Sequence, residues 1–401
     1  MATAQPAAWH RPGDVTLDCA NTIVVSDFHI GLAQPPPSAA NADDGHSTER
    51  ALITFLNWLG ARAQKEAQAW RLVILGDFLD LWQAPAPASR RDTTSQGAGL
   101  ASAESTLEGI AAAHPSALEA LAAYAGAGNP VAVVPGNHDS ELLDPYLQHR
   151  FSELVSELTG RNGGIPSLSF HPWFFLLPGV LYAEHGSQYH AINAVRNPLA
   201  PSGRWSSDPP LAALLDLHSP GVLATALVGR VGRRALSVRR RSHDDGATAA
   251  LVRRAGETGL TLDALAALNR LSSASATEIM RNAVTALRGG QSRVPALQEA
   301  AAAAIHDLLL AEQKAVPFYI FGHTHRAAWT KVPATGSTLH YFNSGSWSTV
   351  PQPARADAPV HRYTFVEIRR DSDTVAATLR RWDTEMLAAT TIAGPELAAA
   401  G

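Results

Sequence analysis

The sequence is poor in several residue types, and each shortage excludes a class of protein. It contains a single cysteine, Cys19, in 401 residues. One cysteine cannot form a disulfide within the chain or a cysteine-based zinc site, and such scarcity is typical of a reducing compartment. Charged residues make up 17% of the chain, against roughly 25% in an average soluble protein, and the formal net charge is −4. A protein that coats nucleic acid is therefore not expected, and we predict no nucleic-acid partner.

Long apolar runs are also absent. No stretch of about 18 uninterrupted apolar residues occurs, so no membrane span is predicted. Residues 1–13 lack a basic segment followed by an apolar one, so no signal peptide is predicted and a cytoplasmic location is favoured. Hydrophobic residues still make up 46% of the chain, which is enough for a large core. The length favours two domains, or one domain with a large insertion.

Short apolar runs alternate with helical patterns in the first half of the chain. Buried strands are predicted at residues 23–25, 72–75, 131–134 and 181–183, because these runs are short and rich in apolar, often β-branched, residues. Helical spacing separates the first three of them. This alternation predicts an α/β fold with a largely parallel first sheet.

Strand signals disappear between residues 191 and 315, where only helical patterns occur, and return at 318–321. The runs at 339–342, 363–368 and 374–379 are predicted to form a second, more antiparallel sheet. We therefore divide the chain into four parts. These are a lead-in at 1–20, a core domain made of 21–190 and 316–385, a helical insertion or cap at 191–315, and a tail at 386–401.

A polar cluster of metal-ligand type follows each of five predicted strands. The clusters read D-F-H at 27–29, G-D-F-L-D at 76–80, G-N-H-D at 136–139, E-H-G at 184–186 and G-H-T-H at 322–325. In open α/β sheets the carboxyl ends of the strands form the ligand crevice, so these side chains are expected to meet. Aspartate and neutral imidazole suit Mn, Fe or Zn, whereas a calcium site would be all oxygen. The sequence therefore predicts a centre of two metal ions.

The five blocks, in this order, resemble the calcineurin-like metallophosphoesterase superfamily, whose pattern is D-x-H, G-D-x-x-D, G-N-H-[DE], a lone H and G-H-x-H. The resemblance implies a four-layer α/β/β/α sandwich of two mixed sheets, here with a large helical insertion. It also implies a phosphate-ester substrate and two divalent cations, with Mn expected and Fe or Zn as alternatives. The cations would clamp the phosphoryl oxygens and activate the hydroxide that attacks phosphorus.

The resemblance implies a role for each residue of the blocks. His138 is not a ligand in this assignment but a general acid or electrostatic stabiliser, oriented by Asp139, and Asp80 gives further support. The ligands of one metal would be Asp27, His29 and His325, those of the other Asn137, His185 and His323, and Asp77 would bridge the two. Candidate substrate-binding residues are Asp80, Asn193, Arg196 and Arg326.

Finer features resemble the UDP-diacylglucosamine hydrolase branch, which cleaves a pyrophosphate in a nucleotide-linked lipid at the cytoplasmic membrane face. The shared stretches are residues 76–82 and 322–326. Two features differ: the insertion at 191–315 is longer, and His138 stands where that hydrolase has arginine. We therefore expect hydrolysis of a phosphodiester or pyrophosphate, on a nucleotide-linked or lipid-linked substrate. A small-molecule phosphomonoesterase is the alternative, and a non-catalytic metal-bound scaffold for protein interactions is an alternative of another class.

The predicted insertion holds the one strong charge asymmetry. Eight arginines lie between residues 230 and 254, just after the apolar stretch 221–228. Such a segment suits peripheral contact with the inner face of the membrane, or a grip on a pyrophosphate, or a solvated basic loop. The sequence leaves these interpretations open, together with the oligomeric state.

Overall fold

The computed structural model describes residues 21–32, 44–81, 96–158, 168–190, 193, 245–271, 294–348, 361–370 and 374–395. Several sequence predictions fall outside these residues: the lead-in 1–20, Arg196, the apolar stretch 221–228 and the arginines from 230 to 241. No helix in the described part of the chain is both long enough and apolar enough to cross a membrane.

The first sheet has seven strands. Their order is β12 (Ala388–Ala393), β11 (Val375–Asp383), β10 (Thr364–Arg370), β1 (Asn21–Val25), β2 (Trp70–Leu75), β3 (Val131–Val134) and β4 (Leu168–Phe170). Strands β1 to β4 run parallel, whereas β10, β11 and β12 add antiparallel pairs on the other side of β1. Every residue of β1, β2 and β3 is buried, as expected for strands that are covered on both faces.

The second sheet has five strands, in the order β5 (Phe174–Leu177), β6 (Leu181–Glu184), β7 (Phe318–Phe321), β9 (Ser337–Asn343) and β8 (Ala328–Ala334). The three central strands are parallel, and the two outer pairs are antiparallel. Alternate residues of the two sheets meet between them, for example Val24 and Val73 from the first sheet and Ile320 from the second. These side chains form a continuous apolar layer.

Helices cover the outer face of each sheet. On the first sheet lie α1 (Asp44–Glu66), α2 (Gln96–Ala113), α3 (Pro115–Gly126) and α4 (Pro145–Leu158); the chain continues with α5 (Asp245–Thr258), α6 (Leu262–Leu271) and α7 (Val294–Ala311). Phe55 of α1 packs with Ile23 and Leu72, and Ile305 of α7 packs with Tyr319. The predicted α/β fold with two mixed sheets is confirmed.

Strand partners differ from the sequence prediction in one respect. The strands at 363–368 and 374–379 were expected in the second sheet, but β10 and β11 belong to the first, where Val366 of β10 lies opposite Val24 of β1. Burial alternation identifies a strand without identifying its partner, so this prediction was wrong. Two further observations concern the predicted domains: β12 lies within the 386–401 stretch, and α6 and α7 of the 191–315 stretch pack on the second sheet.

Candidate metal centre

The strands of the two sheets deliver polar side chains to one edge of the sandwich. Parallel pairing joins β1 to β2 and β2 to β3 in the first sheet and β6 to β7 in the second, so their carboxyl ends point the same way within each sheet. The segments that follow β1 and β2 stay paired with each other, since the backbone N–H of Phe28 donates to the carbonyl of Asp77 at 2.9 Å. The five sequence blocks therefore converge.

The first donor cluster consists of Asp27, His29 and His325. Nε2 of His325 lies 3.1 Å from Oδ1 of Asp27 and 3.2 Å from Nε2 of His29. Asp27 is fully buried, yet its Oδ1 has no partner in hydrogen-bonding geometry among the described residues. Three potential ligand atoms thus face one another.

The second donor cluster consists of Asp77, His185 and His323. Nε2 of His185 lies 3.1 Å from Oδ2 of Asp77 and 3.2 Å from Oδ1 of Asn137. The other ring nitrogen of His185, Nδ1, donates to the carbonyl of Leu75 at 3.0 Å. With Nδ1 committed to this bond, loss of the proton from Nε2 on metal binding would make Nε2 the electron-pair donor to the cluster.

Asp77 belongs to the second cluster and also extends towards the first. Its Oδ2 is 3.1 Å from Nε2 of His185 on one side and 3.8 Å from Nε2 of His29 on the other. Burial alone would raise the pKa of Asp77, but the charges of His185 and His138 hold it well below its usual range. The side chain is therefore an anion within reach of both clusters.

The backbone of the site is held in an uncommon conformation. Of the ten non-glycine residues with positive φ in the described part of the chain, five belong to the donor clusters: Asp27, His29, Asp77, His323 and His325. Each such residue costs on the order of 1–3 kcal/mol, and this kind of strain concentrates at functional sites. These five residues therefore lower the stability of the fold, and in return their side chains are oriented towards the donor clusters.

Glycines allow the loops to pass close to the donor atoms. A Cβ at Gly136 would lie 2.2 Å from Oδ1 of Asp77, and one at Gly76 would lie 2.4 Å from the ring of His185. No real Cβ tolerates such contacts. Only glycine therefore fits at these two positions of the sequence blocks, because a larger residue would collide with the donor side chains.

The donor set fits a pair of divalent cations. It offers carboxylate oxygens, imidazole nitrogens and one amide oxygen, the mixture that Mn, Fe and Zn accept. Two buried carboxylates, Asp27 and Asp77, need compensating positive charge in this environment. The oxygen of Asp27 that accepts no hydrogen bond is explained if a cation takes that position.

A third group of possible ligand atoms joins His138 to His29 and Asp77, one residue from each cluster, within 4.8 Å of one another. The ring of His138 packs edge-on against His29, with 4.6 Å between centroids, and its Nδ1 lies 2.9 Å from Oδ1 of Asp80. Burial would lower the pKa of His138, but the charge of Asp77 and the hydrogen bond and charge of Asp80 raise it to about 9. The side chain is 22% exposed. A protonated imidazole that solvent can reach therefore adjoins the centre.

Comparison with known proteins decides the family. The model of the calcineurin-like phosphoesterase family matches residues 20–250, which is more than half of the chain. The chain belongs to the calcineurin-like phosphoesterase family. It is a metal-dependent hydrolase that acts on phosphoester bonds, as this family does with divalent metals.

No curated protein matches the chain. Similar solved structures include the phosphopantetheinyl hydrolase of Mycobacterium tuberculosis, which is 11% identical, with a TM-score of 0.22 over 84% of this chain and 98% of that chain. The resemblance to the UDP-diacylglucosamine hydrolase branch stays a prediction.

The role expected of Asp139 in this phosphoesterase needs correction. Its buried carboxylate accepts backbone N–H groups of Gly136 at 2.6 Å and Phe78 at 2.8 Å, so it joins the loops after β2 and β3. The ring of His138 instead contacts Asp80. Successive residues of a loop project in different directions, so the neighbour in sequence is not the neighbour in space.

The expected substrate residues fall at different places in the phosphoesterase. Asn193 is buried beside the second cluster, and its amide nitrogen lies 3.0 Å from Nδ1 of His190 and 3.3 Å from Nε2 of His323. Asp80 is brought to His138, and Arg326 is exposed directly after His325. Asn193 and Asp80 thus contact residues of the site, Arg326 adjoins a donor in sequence, and the fourth candidate, Arg196, lies outside the described residues.

One arginine of the charge cluster is not available to a membrane or a substrate. Arg254 is 3% exposed and donates to the carbonyl of Phe174, and its guanidinium lies over the Phe174 ring at 4.5 Å. It also pairs with Glu257 at 2.9 Å. Arg254 therefore joins α5 to the second sheet.

Sequence reasoning missed a pair of serines that hold Asp27. Oγ of Ser26 donates to Oδ2 of Asp27 at 2.5 Å and lies 2.7 Å from Oγ of Ser344, which follows β9. Both serines are fully buried. Ser26 adjoins the first block, but no spacing rule links it to a residue 318 positions away.

Proposed function

We propose that this phosphoesterase hydrolyses a phosphodiester or pyrophosphate bond with a pair of divalent cations, Mn²⁺ in the first instance. The observation that carries the proposal is the position of Asp77, which belongs to the second donor cluster and extends towards the first. Asp27, His29 and His325 would hold one cation, Asn137, His185 and His323 the other, and Asp77 both. When bound, such a pair supplies the charge that attracts phosphoryl oxygens and lowers the pKa of water.

His138 is the proposed proton donor to the departing oxygen. Asp80 engages Nδ1 of the ring at 2.9 Å, which leaves Nε2 for the substrate. General acid catalysis of this kind contributes on the order of 10²–10⁴-fold to the rate. An alkoxide leaving group needs that proton most, which favours esters of ordinary alcohols as substrates.

The substrate class rests on the sequence resemblance together with the charges around the centre. The exposed Arg326 directly follows His325 in sequence, and the amide of Asn193 lies 3.3 Å from Nε2 of His323, which supports a role for both in binding the phosphate group. We propose a nucleotide-linked or lipid-linked ester, cleaved at the inner face of the membrane or in the cytoplasm. The proposed catalytic domain comprises residues 21–190 and 316–385.

The test is a metal count together with a substrate comparison. The protein is stripped of metal, reconstituted with Mn²⁺, Fe²⁺ or Zn²⁺, and assayed on bis(p-nitrophenyl) phosphate and p-nitrophenyl phosphate. We expect two ions per chain and faster hydrolysis of the diester. Hydrolysis of the monoester alone would favour a phosphomonoesterase, and two bound ions without hydrolysis of any phosphate ester would favour a scaffold.

A pair of variants assigns the ions to the site. Asp77→Ala removes the carboxylate that both clusters share, so it is expected to lose metal and activity together. Asp263→Asn on the exposed surface of α6 is the matched control and should bind two ions. Full metal content and activity in Asp77→Ala would rule out this assignment of the ligands.

A further inference from the structure

One polar side chain interrupts the apolar face that α7 turns to the second sheet. The buried residues of this helix recur at helical spacing, and most are aliphatic: Val294, Gln298, Ala301, Ala302, Ile305, His306 and Leu309. Gln298 is completely buried. A buried amide costs about 1–3 kcal/mol unless its hydrogen bonds are made, so its partners identify its role.

Gln298 uses its full hydrogen-bonding capacity. Its Nε2 donates to the carbonyl of Gly186 at 3.3 Å and to that of Gly322 at 3.2 Å. Its Oε1 accepts from the hydroxyl of Tyr341 at 2.8 Å and from Nδ2 of Asn343 at 3.3 Å. Two donated and two accepted bonds are a common maximum for a glutamine amide.

The two carbonyls that Gln298 binds adjoin two proposed metal ligands. Gly186 follows His185 directly after β6, and Gly322 precedes His323 directly after β7. The loops also touch each other, since the N–H of Gly322 donates to the carbonyl of His185 at 3.0 Å. Gln298 thus closes a bridge across the ends of two neighbouring parallel strands.

The approach of Gln298 to these loops is unusually close. A Cβ at Gly186 would lie 2.4 Å from Nε2 of Gln298, and the residue has φ +90°. Glycine is therefore required there both for the backbone conformation and for contact with the amide. The loop that carries His185 is shaped around Gln298.

We propose that Gln298 is a positioning residue for the metal centre. From the helical layer behind the second sheet, it fixes the distance between His185 and His323. The proposal rests on the proposed function, because it takes these histidines as ligands of one cation. The cluster of Asp27, His29 and His325 has supports of its own in Ser26 and Ser344. Loss of Gln298 should therefore weaken the cation at His185 and His323 more than the other.

The test compares two glutamine variants with a control on the same helix. Gln298→Glu keeps the shape but faces the two carbonyls with an oxygen, and Gln298→Met removes the donors without adding charge. The control is His306→Leu. His306 is also buried on α7, and its ring bonds to the Tyr319 hydroxyl at 3.0 Å and to Oγ of Ser337 at 2.9 Å, away from the centre. The leucine variant therefore loses a comparable number of hydrogen bonds.

Each protein is stripped of metal and titrated calorimetrically with Mn²⁺, and its melting temperature is recorded. We expect the wild type to bind two ions. Either Gln298 variant should keep one ion and bind the second about 10- to 100-fold more weakly, the effect usual for lost support of a metal ligand. His306→Leu should melt at lower temperature but bind both ions as the wild type does.

The outcomes separate the inference from the proposed function. A wild type that binds fewer than two ions contradicts the proposed function, and the inference falls with it. If the wild type binds two ions and both Gln298 variants do so with unchanged affinity, the inference alone is overturned. Equal weakening in His306→Leu would also overturn it, because the effect would then come from general loss of packing.

Discussion

Several side chains in and beside the donor clusters are oriented by a partner that binds no metal in the proposed assignment. The carbonyl of Leu75 fixes His185, Ser26 fixes Asp27, and Asp80 fixes His138. The sequence blocks and their resemblance to a known family were sufficient to predict which side chains meet in the two clusters. The partners could not be predicted, since serine, asparagine and glutamine are common residues and the contacts join distant parts of the chain.

The role of His138 is tested by removing the ring and then its partner. With an alkyl phosphodiester as substrate, His138→Ala should lower kcat by about 10²–10⁴-fold with two ions still bound, because a proton donor is lost and no ligand is. With p-nitrophenyl esters the loss should be smaller, since p-nitrophenolate departs without a proton. Asp80→Asn should move the alkaline limb of the pH–rate profile to lower pH, because the charge of Asp80 favours the protonated ring. Metal analysis and steady-state kinetics give both results.

The exposed His149 provides the control, since it pairs only with Glu153 on the surface of α4 among the described residues. His149→Ala should leave kcat unchanged. A His138→Ala variant with wild-type kcat would show that the leaving oxygen takes its proton from elsewhere.

His171, which belongs to neither donor cluster, is expected to make stability depend on pH. Burial and then the charges of Arg254 and Arg71 lower its pKa to about 3. In the unfolded chain the pKa of this histidine is about 6.5. Between that pH and about 3, the unfolded chain therefore binds a proton that the folded chain does not bind. This contribution to stability is complete above the unfolded pKa and is lost as the pH falls from about 6.5 towards 3.

We expect the melting temperature of the wild type to fall more steeply between about pH 6.5 and 4.5 than that of His171→Gln, which has no such proton to gain. Thermal melts of the metal-free proteins in matched buffers measure the two slopes. Parallel slopes would show that His171 does not carry the acid sensitivity.

At the scale of elements, the sequence predicted the positions of strands along the chain far better than the partners with which they pair in the sheets. β1, β2, β3 and β7 are short and wholly buried, so their apolar runs were visible. β12 has mostly exposed or half-buried residues and gave no comparable signal. The placement of β10 beside β1 depends on which edge of the sheet is free, which no local pattern encodes.

The loops that carry the donor side chains leave little space around them. A substitution at Gly136 tests whether this close packing matters for the centre. Gly136→Ala would place a Cβ 2.2 Å from Oδ1 of Asp77, so either the carboxylate or the loop must move. We expect weaker metal binding and a loss of activity of at least about tenfold, as when support of a metal ligand is lost. Metal titration and kinetics on the purified variant provide the measurement.

Gly256→Ala in α5 is the matched substitution, because the added methyl group would have no atom within 4 Å among the described residues outside its own helix backbone. In the last turn of this helix it should stabilise the protein, by less than the roughly 1 kcal/mol typical of a helix interior. If Gly136→Ala bound two ions as tightly as Gly256→Ala does, the close approach at this loop would not matter for the centre.

At the scale of the whole molecule, the centre exists only when both sheets are assembled. Asp27 and His323 are 296 positions apart, yet the N–H of His323 donates to Oδ2 of Asp27 at 3.0 Å. The helical layer that includes α7 reaches the same loops through Gln298. Sequence order predicted that the blocks meet, whereas the contribution of residues 294–311 appears only in three dimensions.

Because the donors converge only in the folded chain, bound cations must stabilise the fold. A ligand that binds the native state alone adds about 2.7 kcal/mol at a concentration of 100 times Kd. For a protein of this size each kcal/mol raises the melting temperature by roughly 2 °C or slightly more. Removal of metal by a chelator should therefore lower the melting temperature by several degrees, and readdition of Mn²⁺ should restore it.

Asp77→Asn connects this shift to the centre. Without metal, the variant should melt at a lower temperature than the wild type, because it loses the attraction between the Asp77 carboxylate and the charged rings of His185 and His138. With Mn²⁺ added, the wild type should gain several degrees and the variant much less, since the shared ligand is gone. An equal gain in both proteins would place the stabilising ions elsewhere and would contradict the assignment of Asp77.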